Sequence, residues 1–168
     1  MSTNYFFVSS PLHLLFSSNL ALRHDGDHNI VVLMPRENRQ FSPFADLLAE
    51  DTSIFDEVIS FETGHRRSKF AERRRRMALI RKAVLQRPAD RIFTGTDRRI
   101  EFQYAMSVAS RLNSDVAGIY VDDGMASYLG HKSMHSIAHR YFDPLFKKLA
   151  YGSWWKNPLI IGCSAWIS

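Results

Sequence analysis

Short apolar runs rich in aromatic and β-branched residues alternate along the chain with longer stretches where apolar residues recur every three or four positions. The first run, Tyr5–Ser9, is of the kind that becomes a buried strand. Ser10 and Pro11 follow as an N-cap and a proline at the first helical position, where the missing N–H costs nothing. Leu12, Leu15, Phe16, Leu20 and Leu22 give this predicted helix an apolar face, and Asp25-Gly26-Asp27 stops it. Ile30–Met34 reads as a second strand ended by Pro35, Phe41–Glu50 as a helix, and Ile54–Phe61 as a third strand bounded by Thr63-Gly64. A long helix is expected over Ser68–Gln86, stopped by Pro88, with Phe70, Met77, Ile80 and Val84 as its stripe. Arg91–Thr94 is a fourth strand, and Thr96 or Asp97 can cap the next helix. That helix carries Ile100, Tyr104, Val108 and Leu112 at four-residue intervals, a pattern that predicts a buried face. Val116–Val121 is the fifth strand and runs directly into Asp122-Asp123-Gly124.

Strands and helices alternating at this spacing imply βαβ units, and so an α/β fold with a Rossmann-like parallel sheet flanked by helices. The 168 residues suit one ordinary domain. Residues 1–150 hold the alternating pattern. Tyr151–Ser168 differs, crowding Trp154, Trp155, Trp166 and the run Leu159-Ile160-Ile161. It is expected to begin an interdomain segment or a truncated second domain. The chain would then be the N-terminal part of a larger two-domain protein or a shortened copy of one.

Charge changes the picture. The formal net charge is +5 and the pI about 9.6, yet the excess is local: between Arg66 and Arg87 only Glu72 opposes the Lys and Arg residues. The rest of the chain is mildly acidic. Such segregation attracts anionic partners, whether nucleic acid, lipid or acidic glycan. Arg73, Arg74, Arg75 and Arg76 sweep about 300° of a helix at 100° per residue, so at least one must lie beside the core or reach a partner. A single cysteine, Cys163, excludes an internal disulfide framework and a multi-cysteine zinc site. No apolar run approaches the roughly 18–20 residues that span a bilayer. The N-terminus lacks the basic start of a secretory signal. A cytoplasmic protein is expected, with possible peripheral contact at the inner membrane face.

In open α/β sheets ligands bind beyond the carboxyl ends of the strands, which directs attention to three corners. Asp122-Asp123-Gly124 sets two carboxylates on a sharp exit from the fifth strand. One could act as general base on a substrate hydroxyl; equally, the same residues form an Asx-type turn. Ser9, Ser10 and His13 occupy the corner after the first strand, where helix amides can hold an anion. Thr94-Gly95-Thr96-Asp97 makes a third corner on the same crevice. The chain has neither the glycines of a dinucleotide fingerprint nor a P-loop. His131, His135 and His139 lie four apart, but the third is about 12 Å from the first along a helix, and no nearby ligand completes a metal set. No metal site is expected.

A short N-terminal strand leading into Ser10-Pro11-Leu12-His13, followed later by Tyr120-Val121-Asp122-Asp123-Gly124-Met125-Ala126-Ser127-Tyr128-Leu129 at a strand end, resembles bacterial sialyltransferases of the polysialyltransferase and lipooligosaccharide sialyltransferase group. The resemblance implies the N-terminal half of a glycosyltransferase-B fold. It also implies an inverting, metal-independent transferase of capsule or lipooligosaccharide biosynthesis, with CMP-sialic acid as donor substrate and no cofactor. Asp122 or Asp123 would then be the base that deprotonates the acceptor hydroxyl, and the crevice residues Ser9, Ser10, His13, Thr94, Gly95 and Gly124 would bind substrate. Arg73–Arg76 would meet an anionic glycan acceptor.

One element of that pattern is missing: no His-Pro dipeptide occurs in the 168 residues, and in the family that histidine stabilises the leaving phosphate. An acceptor-side half alone should bind CMP-sialic acid poorly and turn it over little. The rival reading is a phosphate- or nucleic-acid-binding module using the arginine-rich helix over 66–87. Aromatic residues are not interleaved with those arginines along the sequence, which argues against a stacking platform for nucleic acid.

Overall fold

The computed structural model describes residues 1–34, 48, 53–61, 69–122, 147–156 and 162–168. Five parallel strands form one sheet: β1 (Thr3–Val8), β2 (His28–Leu33), β3 (Glu57–Ser60), β4 (Arg91–Thr94) and β5 (Ala117–Tyr120). Helices α1 (Pro11–Arg23), α2 (Lys69–Gln86) and α3 (Ile100–Leu112) join them. The strand order is β3-β2-β1-β4-β5, so the chain builds outward from β1 on one side and then returns to build outward on the other. This is the doubly wound arrangement, with its switch point between β1 and β4.

The strand sequences explain why both faces are covered. Along β1, Tyr5 and Phe7 enter one core while Phe6 and Val8 enter the other, the two-residue period of a strand. Ile30 and Val32 of β2 and Ile92 of β4 join the first core, which Ile80 and Val84 of α2 and Phe102, Ala105 and Met106 of α3 cover. Val31, Leu33 and Phe93 join the second, beneath Leu14 and Ala21 of α1. There Phe6 stacks on Phe93 at 4.6 Å and meets Phe55 edge-on at 5.7 Å. Each such buried ring contributes about 1.5–3 kcal/mol.

Strand and helix identities follow the sequence pattern, but the helix faces follow it only in part, with Ile80 and Val84 of α2 and Val108 of α3 buried as expected. The stripe expected on α1 is turned away from the sheet: Leu12, Leu15, Phe16 and Leu22 are exposed. His13, Leu14, Ser17 and Ala21 point inward instead. Small residues at 17 and 21 let the helix lie close to β1, and the Ser10 cap together with a Ser9–His13 hydrogen bond fixes its rotation. Phe70 of α2 is likewise exposed rather than buried. On α3, Leu112 is exposed and Tyr104 half-buried, while Phe102, Ala105, Met106 and Ala109 face the sheet. The four-residue stripe lies along the side of α3 rather than its base. The N-cap of α3 is Arg99, without a side-chain cap bond, and not Thr96 or Asp97. Asp97 is used elsewhere: its Oδ2 accepts the Ser164 amide at 2.8 Å. The helix expected over 41–50 lies outside the described residues except for Leu48.

The described parts of Tyr151–Ser168 pack on this domain. The Gln103 amide bonds both backbone groups of Lys156, at 2.7 and 2.9 Å, and Trp155 is buried. The Ser168 amide bonds the Gly118 carbonyl at 2.9 Å. Gly118 is what permits that approach, since a Cβ there would sit 1.9 Å from the Trp166 carbonyl oxygen.

Candidate functional site

Strand register brings three of the predicted corners to one edge. Phe7 pairs with Thr94, and Thr94 with Tyr120. The row continues as the Val121 amide bonds the Thr94 carbonyl at 2.9 Å. Two residues beyond these partners stand Ser9, Thr96 and Asp122, at the carboxyl ends of β1, β4 and β5. This is the crevice side of the switch point.

The β1–α1 corner is tightly built. Ser10 caps α1 by accepting the His13 amide at 3.1 Å. Ser9, fully buried, shares a 2.9 Å hydrogen bond between its Oγ and His13 Nδ1. The imidazole then lies flat against the next strand exit, because a Cβ on Gly95 would fall 2.2 Å from His13 Nε2. Gly95 is therefore a packing requirement of His13. Thr94 is buried and bonds Thr96 both ways, its Oγ1 donating to the Thr96 carbonyl at 3.0 Å and accepting the Thr96 amide at 3.1 Å. Of the residues predicted to bind substrate, Ser9, His13 and Thr94 are structural first, and Ser10 and Gly95 form the accessible rim. Asp122 is half-buried and engaged by its surroundings. Asp123, Gly124, His131, His135 and His139 lie outside the described residues. Among the described residues no group of His, Cys, Asp and Glu could hold a metal ion, and no helix is long and apolar enough to cross a membrane.

The four arginines divide. Arg76 is the one turned inward: it bonds Glu72 at 3.2 Å and the buried Glu101 at 3.4 Å, with its guanidinium 5.6 Å from the Phe61 ring. Arg73 donates to the Tyr151 hydroxyl and lies over that ring at 5.8 Å. Arg74 covers Phe70 at 4.8 Å, and Arg75 is half-buried and engaged. Tyr151, distant in sequence, thus stands beside the arginines within a row of rings: Phe70 to Tyr151 is 6.5 Å, Tyr151 to Trp154 6.4 Å, and Trp154 to Tyr104 5.3 Å. Linear spacing did not reveal this, because Tyr151 and Trp154 reach α2 only through the packing of the final segment.

The architecture has counterparts among solved structures. A crystal structure of UDP-N-acetylglucosamine 2-epimerase matches with a TM-score of 0.50 at 10% identity, over 89% of this chain and 38% of the other. The UDP-GlcNAc 2-epimerase from Methanocaldococcus jannaschii matches with a TM-score of 0.45 at 15% identity, over 79% of this chain and 34% of the other. The chain spans well under half the length of either enzyme. No protein-family profile matches it, and no curated protein does. At 10% identity the likeness of the first structure defines the fold alone: a Rossmann-like α/β unit with the parallel sheet expected from the sequence.

Proposed function

We propose that this chain is the acceptor-side half of a sugar-nucleotide-dependent glycosyltransferase, and that sialic acid from CMP-sialic acid is the sugar transferred. The observation that carries the reading is the placement of Asp122 on the same sheet edge as the capped N-terminus of α1, across the β1/β4 switch point. A structural likeness to UDP-N-acetylglucosamine 2-epimerase supports a sugar-nucleotide enzyme, and the Asp122-Asp123-Gly124 sequence supports sialyl transfer in particular.

On this reading the Asp122 or Asp123 carboxylate accepts the acceptor hydroxyl proton as the hydroxyl oxygen attacks the anomeric carbon. The bond to CMP breaks from the opposite face, so the configuration inverts. The rim of Ser10 and Gly95, beside the amides that open α1, suits a carboxylate or phosphate of the substrate. Exposed Arg73 and Arg74 suit an acidic acceptor chain approaching from the helix side.

The test is transfer from CMP-sialic acid to an oligosaccharide acceptor, using protein expressed from the complete reading frame, with UDP-N-acetylglucosamine assayed in parallel. Sialyl transfer abolished by D122N or D123N supports the reading. Turnover of UDP-N-acetylglucosamine alone leaves a sugar-nucleotide enzyme but removes sialyl transfer. No turnover or binding of either nucleotide, in a frame that encodes no His-Pro domain, overturns both.

A further inference from the structure

Away from the strand-end crevice, α2, α3 and the final segment enclose an open groove of about 360 Å³. Its floor is apolar, formed by Leu85, Val108 and Leu112, and Trp154 makes one wall. Arg81 and Arg111 flank it, both exposed. No acidic residue lines it, and among the described residues neither guanidinium has an ion-pair partner.

The indole wall is fixed by backbone geometry. Gly152 takes a φ of +107°, a conformation that glycine adopts without strain. A Cβ there would stand 3.3 Å from the Trp154 ring, so the turn supports the indole closely. Tyr104 meets the indole edge-on at 5.3 Å and holds its other side. Two half-exposed Leu side chains lie beside two guanidiniums that have no ion-pair partner among the described residues. They suit a ligand with a flat apolar body and a compact anionic end. A hexose fits less well, because beyond the Ser107 and Tyr104 side chains the lining offers it no neutral hydrogen-bond partner. A phosphate suits the two flanking guanidiniums, each a planar fork of donors.

We infer that this groove binds a nucleoside monophosphate, with the base against Trp154 and the Leu85–Val108–Leu112 floor and the phosphate between Arg81 and Arg111. The site is separate from the Asp122 crevice and does not depend on the sialyl-transfer reading.

The experiment titrates the full chain with CMP, UMP and AMP, reading calorimetry and tryptophan fluorescence. Cytidine, inorganic phosphate and octyl phosphate serve as separate arms, and circular dichroism checks that each variant is folded. Saturable binding below roughly 1 mM with quenching is expected. R81A/R111A should weaken it at least about tenfold, W154F should remove most of the quenching, and D122N should leave affinity unchanged. Cytidine and phosphate alone should bind weakly. Three results would overturn the assignment: no saturation by any nucleotide, binding that survives R81A/R111A but is lost in D122N, or tighter binding of octyl phosphate than of the nucleotides. R81K/R111K separates lost charge from lost fork geometry. Retained affinity in that variant with loss in R81A/R111A still supports the site, whereas equal affinity in all three proteins removes it.

Discussion

The two edges of the sheet use the same residue type for different ends. At the amino edge, three aspartates stand immediately before strands, and each caps a backbone amide of a neighbouring strand. Asp27 accepts the Ser2 amide at 2.8 Å, Asp90 the Thr3 amide at 2.8 Å, and Asp56 the Asn29 amide at 2.7 Å. A parallel ladder leaves amides at its amino edge without strand partners, and a buried or half-buried amide left so is costly. Asp27 also takes Arg91 at 3.1 Å, and Asn4 bonds Asn29 at 2.9 Å. At the carboxyl edge, Asp122 stands after a strand, on the side where α1 presents its capped N-terminus. An aspartate before a strand closes the sheet, whereas on the proposed function the one after a strand faces a ligand crevice.

The comparison breaks most sharply if Asp122 proves to be a structural residue. On the proposed function, D122N lowers transfer by about 10²–10⁴-fold, with a melting temperature close to wild type. A large fall in melting temperature would place Asp122 with the amino-edge caps. G95A comes next. The added methyl strikes a His13 ring that Ser9 holds at 2.9 Å, so about 1–3 kcal/mol of stability should be lost in urea unfolding. The double variant G95A/H13A should recover part of that loss.

N29A tests the amino edge. The buried Asn29 side chain bonds the carbonyls of Ala21 and His24 at 3.3 Å each and accepts from Asn4. Its removal should cost about 1–3 kcal/mol and leave ligand binding at the crevice unchanged. Y5F should cost less, about 1 kcal/mol, since it removes one bond, from the Tyr5 hydroxyl to the Arg87 carbonyl at 2.9 Å. Burial pushes the Tyr5 hydroxyl well above its usual value, with the Glu57 charge adding to the rise. Its contribution is therefore complete below pH 10.0 and is lost as pH rises beyond it, and Y5F should flatten that alkaline loss.

The smallest effect concerns acid. The Ser2 amide, with Asn4 and Arg91 behind it, holds the Asp27 carboxyl below its ordinary value of 3.8. A carboxyl that titrates lower when folded supports the fold above the unfolded pKa, and that support is lost as pH falls through the folded one. D27N should remove this part of the acid sensitivity, measured as the slope of melting temperature between neutral pH and pH 3.

How far the sequence could be read differs by level. Strand cores such as Tyr5–Val8 and Ile30–Met34 were legible because four or more apolar residues in a row suit a strand buried on both faces. Ser10-Pro11 was legible as a helix start because capping is local. The faces of α1 and α3 were not. Counting large apolar residues selected Leu12, Leu15 and Leu22, while close packing on β1 favoured Ser17 and Ala21. The crevice was legible in outline, since strand ends follow from strand positions. Arg81, Arg111 and Trp154 gave no sequence signal as a group, being up to 73 positions apart.

The sequence by itself determined the alternation of strands and helices, the cap at Ser10, the glycine-marked exits and the inward turn forced on one arginine of Arg73–Arg76. Each of these depends on neighbours within a few residues or on helical periodicity. Only the tertiary structure decided which arginine turns inward, which face of each helix meets the sheet, and which distant rings stand beside the arginines. Those choices depend on the depth of contact between layers and on the register of parallel strands, and neither is encoded in local spacing.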